Sequence, residues 1–113
     1  MTTLYGIRNC DTIKKAKCWL EDHNVDYDFH DYKKAGIDKE TLQAWCKEFG
    51  FESLLNKRGT TWRKLDDTLK DNVDEASAID IMCEHTSVIK RPVLISGSTR
   101  ILGFDKNAYQ SLL

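Results

Sequence analysis

TTLYGIRNCDTIKKAKCWLEDHNVDYDFH, residues 2–30, passes through three hydrophobic patterns in succession. Thr2 to Ile7 is a short apolar run carrying Leu4, Tyr5 and Ile7, and it reads as a strand. It stops at Arg8-Asn9-Cys10-Asp11-Thr12, where polar residues of the kind that open helices gather. From Thr12 to His23 the apolar positions Ile13, Ala16, Trp19 and Leu20 recur at helical spacing, with Lys14, Lys15 and Lys17 toward solvent. Val25, Tyr27 and Phe29 then alternate with Asp26, Asp28 and His30, as in a half-buried strand. The opening is therefore strand, helix, strand.

The pattern turns helical from Asp38 to about Glu84. Leu42, Trp45, Cys46 and Phe49 share one helix face, and Gly50 ends it. Ser53 to Gly59 reads as a turn and loop. Thr61 to Leu69 reads as one helix with Trp62, Leu65 and Leu69 on one side. A further stripe is Ala76, Ile79, Met82 and Cys83. The sequence then returns to strands. Pro92 to Ile95 and Arg100 to Phe104 flank the turn Ser96-Gly97-Ser98, a hairpin signal. Asp105 caps a short last helix holding Ala108, Tyr109 and Leu112. This order predicts an α/β protein with a thioredoxin-like fold over 1–113, its halves separated by a helical insertion at about 38–85.

The length of 113 residues suits one ordinary domain. Hydrophobic residues at 41% and charged residues at 31% are globular composition. Seventeen basic side chains against eighteen acidic ones give a net charge of -1, so no global field favours nucleic acid or an anionic membrane. No run approaches the ~20 apolar residues of a membrane helix, and the N-terminus lacks a signal-peptide pattern. A cytoplasmic protein is expected. Cys10, Cys18, Cys46 and Cys83 then stay reduced, and none has zinc spacing, so no metal is expected.

Cys10 is the residue with the clearest chemical potential. It lies at a strand-to-helix junction, where backbone N–H groups and the helix dipole favour an anion. An ordinary thiol is only about 3% thiolate at neutral pH, and such a position raises that fraction. Asp11 opposes the effect with a neighbouring negative charge. Arg58, Arg91 and Arg100 are candidates for gripping an oxyanion or carboxylate bidentately, and Arg91 precedes Pro92, the one proline. His30 ends a strand near this point and is a candidate base. Cys46 and Cys83 read as small core hydrophobes, and Cys18 likewise as packing.

R-N-C-D-T-I-K-K-A at 8–16, N-K-R-G-T-T-W-R-K-L at 56–65, K-R-P-V at 90–93 and L-G-F at 102–104 together resemble the ArsC/Spx family, closest to its YffB branch. The likeness covers essentially the whole chain. It implies a catalytic or redox role for Cys10, a cis Pro92, and an arginine set at Arg58, Arg91 and Arg100. It also implies a glutathione-binding surface at Pro92 and Arg91, with Asn9 and Thr12 beside the cysteine. Two departures stand out. Asp11-Thr12-Ile13 replaces the Gly-Thr-Ser-like stretch of arsenate reductases, and Ile13 stands where Spx regulators carry a second cysteine.

The function these residues predict is a glutathione-dependent thiol–disulfide oxidoreductase using Cys10 alone, with glutathione as co-substrate and a disulfide or oxyanion as substrate. A glutathione-linked arsenate reductase is a second expectation. A non-enzymatic, Spx-like regulator binding a protein such as RNA polymerase is the third.

Overall fold

The computed structural model describes residues 2–113 other than Asn9 and Asn72, with the Leu69 side chain also outside the description. The chain folds into two compact units, Met1–Ala35 with Arg91–Leu113, and Gly36–Lys90.

The first unit is built on a four-stranded sheet of order β2-β1-β3-β4. Strand β1 is Thr2–Gly6 and helix α1 is Asp11–Asp22. Strand β2, Asp28–Asp31, lies parallel to β1 with Leu4 beside Phe29 and Tyr5 beside His30. Strands β3, Val93–Ser96, and β4, Thr99–Leu102, form the hairpin. Strand β3 runs antiparallel to β1, with Tyr5 beside Val93. Gly97 makes the hairpin turn at φ 59°, a backbone conformation that glycine adopts without a Cβ penalty. Alternation along the strands sends Leu4, Leu94 and Ile101 to one face. There they meet Ala16, Trp19 and Leu20 of α1 and Tyr109 near the C-terminus. This is the thioredoxin-like arrangement, with the second unit as its helical insertion.

Strand β2 is shorter than the Val25–Phe29 alternation predicts, because its partner β1 offers pairing only from Thr3, opposite Asp28. Val25 and Tyr27 still pack on the core while lying outside the strand. Helix α2, Tyr32–Ala35, follows β2 directly, and Asp31 Oδ1 accepts the Lys33 N–H at its start, 3.0 Å away.

The second unit is helical. Helix α3 is Lys39–Phe49, capped by Asp38, whose carboxylate accepts the Thr41 N–H at 2.9 Å. Gly50 at φ 85° stops it. Phe51–Leu54 forms one turn of helix, α4, where a loop is expected from Ser53 onward. The stretch read as one helix from Thr61 is two. Helix α5, Thr60–Lys64, ends because Leu65 is extended at φ -69° and ψ 152°. Asp66 then accepts the Thr68 N–H and opens α6, Asp67–Asp71, a local side-chain bond competing with helix continuation. Helix α7, Glu75–Glu84, starts in a reciprocal Asp74–Ser77 capping box. It buries Ala78, Ile79, Ile81 and Met82, while Ala76 is exposed and Cys83 half-buried. The predicted stripe is therefore rotated. Ile81 offers more apolar area than Ala76, so burying it contributes more.

Helix α8, Lys106–Tyr109, returns to the first unit, where Asp105 accepts the Asn107 N–H at 3.0 Å. Among the described residues, no helix is long and apolar enough to cross a membrane, and no group of three or more His, Cys, Asp or Glu could hold a metal ion.

Candidate active site at the start of helix α1

Cys10 is the N-cap of α1. Its backbone is extended, at φ -101° and ψ 129°, and its carbonyl accepts the Lys14 N–H at 3.0 Å to begin the helix ladder. The helix start is set tightly against the end of β1. A Cβ added at Gly6 would fall 2.9 Å from Cγ1 of Ile13, so glycine permits this approach. Ile13 itself is 1% exposed, and the helix carrying Cys10 is anchored through it.

Two effects compete at the sulfur. Its partial burial raises the thiol pKa. The Ile13 N–H, a hydrogen bond from the Arg91 side chain, the Thr12 N–H and the Arg91 charge all favour the thiolate, and together they prevail. The geometry falls short of a closed side-chain cap bond. The Thr12 and Ile13 N–H groups nevertheless act on the sulfur as helix-start donors without intrahelical partners. The net result is a Cys10 thiol held below its ordinary pKa. Cys46 and Cys83 go the other way, because burial pushes both thiols up.

Arg91 reaches Cys10 because β3 pairs with β1. Val93 lies beside Tyr5, so the residues just before β3 come to the end of β1 from which Cys10 follows. The Arg91–Pro92 peptide bond is cis, and the Pro92 carbonyl accepts the Gly103 N–H at 2.7 Å, extending the hairpin beyond β4. Arg91, Pro92, Thr12 and Cys10 are thus gathered at one end of the sheet.

Arg100 is placed differently. It is exposed on β4 opposite Ile95, which pairs with Thr3. Three residues separate that level from Gly6, about 10 Å along a strand. Arg58 belongs to the second unit, exposed in the turn between α4 and α5. Asn9 lies outside the described residues.

His30 packs on Tyr5, with ring centroids 4.8 Å apart, and edge-on to Tyr32 at 5.8 Å. Tyr32 is 2% exposed. Burial pushes its hydroxyl pKa strongly up, Tyr5 adds to this, and the nearby Arg91 charge partly opposes it. The sequence alone marks Tyr5 only as a strand residue and singles out no role for Tyr32. Their signal is the register, which sets Tyr5 beside His30 and brings the chain out of β2 into Tyr32.

Cys18 is exposed rather than packed. A helical wheel shows why: it precedes the buried Leu20 by two residues, about 200° around the helix.

The ArsC family model matches residues 5–112. The chain belongs to the ArsC family. A Haemophilus influenzae protein is 42% identical over 111 residues, covering 98% of this chain and 97% of its own length. A solved YffB protein is 52% identical, with TM-score 0.95, over 98% of this chain and 97% of that one. An arsenate reductase-related protein from Brucella melitensis is 51% identical, with TM-score 0.77, over 97% and 92%. The family also reaches regulators. The global transcriptional regulator Spx of Streptococcus pyogenes is 24% identical over 115 residues, covering 100% of this chain and 85% of Spx.

Proposed function

We propose that this ArsC-family protein is a cytoplasmic, glutathione-dependent thiol–disulfide oxidoreductase in which Cys10 is the sole exchanging thiol. The observation that carries this reading is the hydrogen bond from Arg91 to a Cys10 sulfur already favoured as thiolate at a helix start. In the first step the Cys10 thiolate attacks the glutathione sulfur of a mixed disulfide. A Cys10–glutathione disulfide forms, and the substrate thiolate leaves and takes up a proton. In the second step a glutathione thiolate attacks the glutathione sulfur of that adduct. Oxidised glutathione forms and the Cys10 thiolate returns. The sum reduces the substrate sulfur to a thiol and oxidises the one incoming glutathione, while the glutathione sulfur supplied by the substrate stays at the disulfide level throughout. Arg91 stabilises Cys10 as nucleophile and again as leaving group. Pro92, Arg91 and the Thr12 N–H form the surface where glutathione lies. Arg100 is assigned an outer role toward carboxylates.

The test is turnover of a glutathione mixed disulfide with excess reduced glutathione, alongside intact mass analysis. Wild type should form one Cys10 adduct that reduced glutathione removes, and Cys10→Ser should turn over no faster than buffer. An adduct that forms without turnover would favour a non-enzymatic, protein-binding regulator.

Arsenate reduction is a second reading, motivated by the same Arg91–Cys10 pair, which could hold an oxyanion against the sulfur. Asp11 weighs against it. This exposed carboxylate occupies the first residue of α1, where an incoming dianion needs positive potential. Asp11→Gly should therefore tighten arsenate binding in calorimetry, and unchanged affinity would remove the argument against arsenate.

A further inference from the structure

The outer face of α1 borders a cleft of about 560 Å³ that the Cys10 chemistry does not use. Helix α1 supplies Lys14, Lys15, Cys18, Trp19 and Asp22 to it. Phe104 and Lys106, from the segment joining β4 to α8, line it as well. We propose that this cleft binds a small amphipathic acid, an aromatic or branched hydrocarbon body carrying one carboxylate or sulfonate.

The cleft falls within the ~300–1,000 Å³ of ordinary small-molecule sites, which combine apolar walls with a few placed polar groups. Its aromatic walls are held before any ligand arrives. Trp19 and Phe104 both stand edge-on to the buried Tyr109, at 5.4 Å and 5.1 Å between centroids. Trp19 is also stacked on His23 at 4.0 Å. A ligand body therefore meets fixed surfaces and loses little by ordering them.

The polar groups select charge. Lys14, Lys15 and Lys106 set three ammonium groups against the single Asp22 carboxylate. Among the described residues these three lysines form no salt bridge, whereas the neighbouring Lys17 is drawn away over the Phe29 ring at 3.8 Å. Lys14, Cys18 and Asp22 form one row along the helix, spaced about 6 Å apart. The row runs from a cationic end to an anionic one. A ligand with a single acidic group fits this gradient, and one with acids at both ends meets Asp22.

Exposed Cys18 reports occupancy directly. The experiment follows alkylation of Cys18 and Cys10 by N-ethylmaleimide in the same wild-type sample, read by peptide mass analysis. The probes are 1-naphthaleneacetate, its neutral amide and plain acetate, each at millimolar concentration. Naphthaleneacetate should slow Cys18 labelling, and it should do so at concentrations that leave Cys10 labelling unchanged. The amide and acetate should have little effect. In Lys14→Gln/Lys106→Gln, protection should need about tenfold more naphthaleneacetate, the factor that two exposed ion pairs supply. Equal protection by the amide would reduce the cleft to a patch of apolar adhesion. Parallel protection of Cys10, unchanged protection in the lysine variant, or none at all would each overturn the proposal. None of these outcomes depends on turnover at Cys10, so the two readings fail separately.

Discussion

The side chain of Arg91 hydrogen-bonds the sulfur of Cys10, tying a residue two places before β3 to the residue before α1. The contact depends on the pairing of β1 with β3, and it couples thiol reactivity to the way the sheet is assembled.

Arg91→Ala should raise the Cys10 thiol pKa, because it removes both a donor and a positive charge. Iodoacetamide labelling at neutral pH should slow several-fold. Arg91→Lys keeps charge without the planar donor fork, so it should restore only part of the rate. Full restoration by Lys would mean that charge alone acts on the sulfur.

The same shift gives a stability signature. The Cys10 pKa is depressed in the folded state, so between that value and the unfolded value near ~8.5 the unfolded chain holds more protons. The contribution of Cys10 to stability is therefore absent below its folded pKa, grows as pH rises through this window, and is complete above it. Urea unfolding of wild type and Cys10→Ser under reducing conditions should show their difference growing toward alkaline pH. A flat difference would mean that folding does not perturb this thiol.

Gly6→Ala should destabilise the protein by about 1–3 kcal/mol, the usual range for overpacking a filled core. The added methyl meets Ile13, which is buried and has little rotamer freedom. Because Ile13 anchors the start of α1, Cys10 labelling should change as well. Pairing Gly6→Ala with Ile13→Val should recover part of the stability in denaturant melts. A neutral Gly6→Ala would show that the two elements have room to separate.

No intramolecular disulfide should form between Cys10 and Cys18. Eight residues of continuous helix set their Cα atoms about 12 Å apart, and a disulfide needs about 7 Å or less. Peptide mapping after mild oxidation should find these cysteines in separate species. A Cys10–Cys18 bridge in folded protein would require α1 to unwind and would replace the glutathione-resolved mechanism with a dithiol one.

The alternation around Leu4 and the helical spacing of Ile13, Ala16, Trp19 and Leu20 announce the first strand and helix without any structure. Side-chain period is a local property of each backbone conformation. The same holds for α3, which Asp38 opens and Gly50 closes, and for the hairpin turn at Gly97. Cys10 is legible as a helix-start thiol for the same reason. Other features depend on partners far along the chain. Pairing with β1 sets the first residue of β2, and burial of Ile81 sets the rotation of α7. The pairing of β3 with β1 brings Arg91 to the Cys10 sulfur. Tyr32 joins that end because β2 lies parallel to β1, and the cleft beside Cys18 exists because Tyr109 braces Trp19 and Phe104 together. Hydrophobic period records which side of an element is apolar, but it does not record which distant group will meet that side.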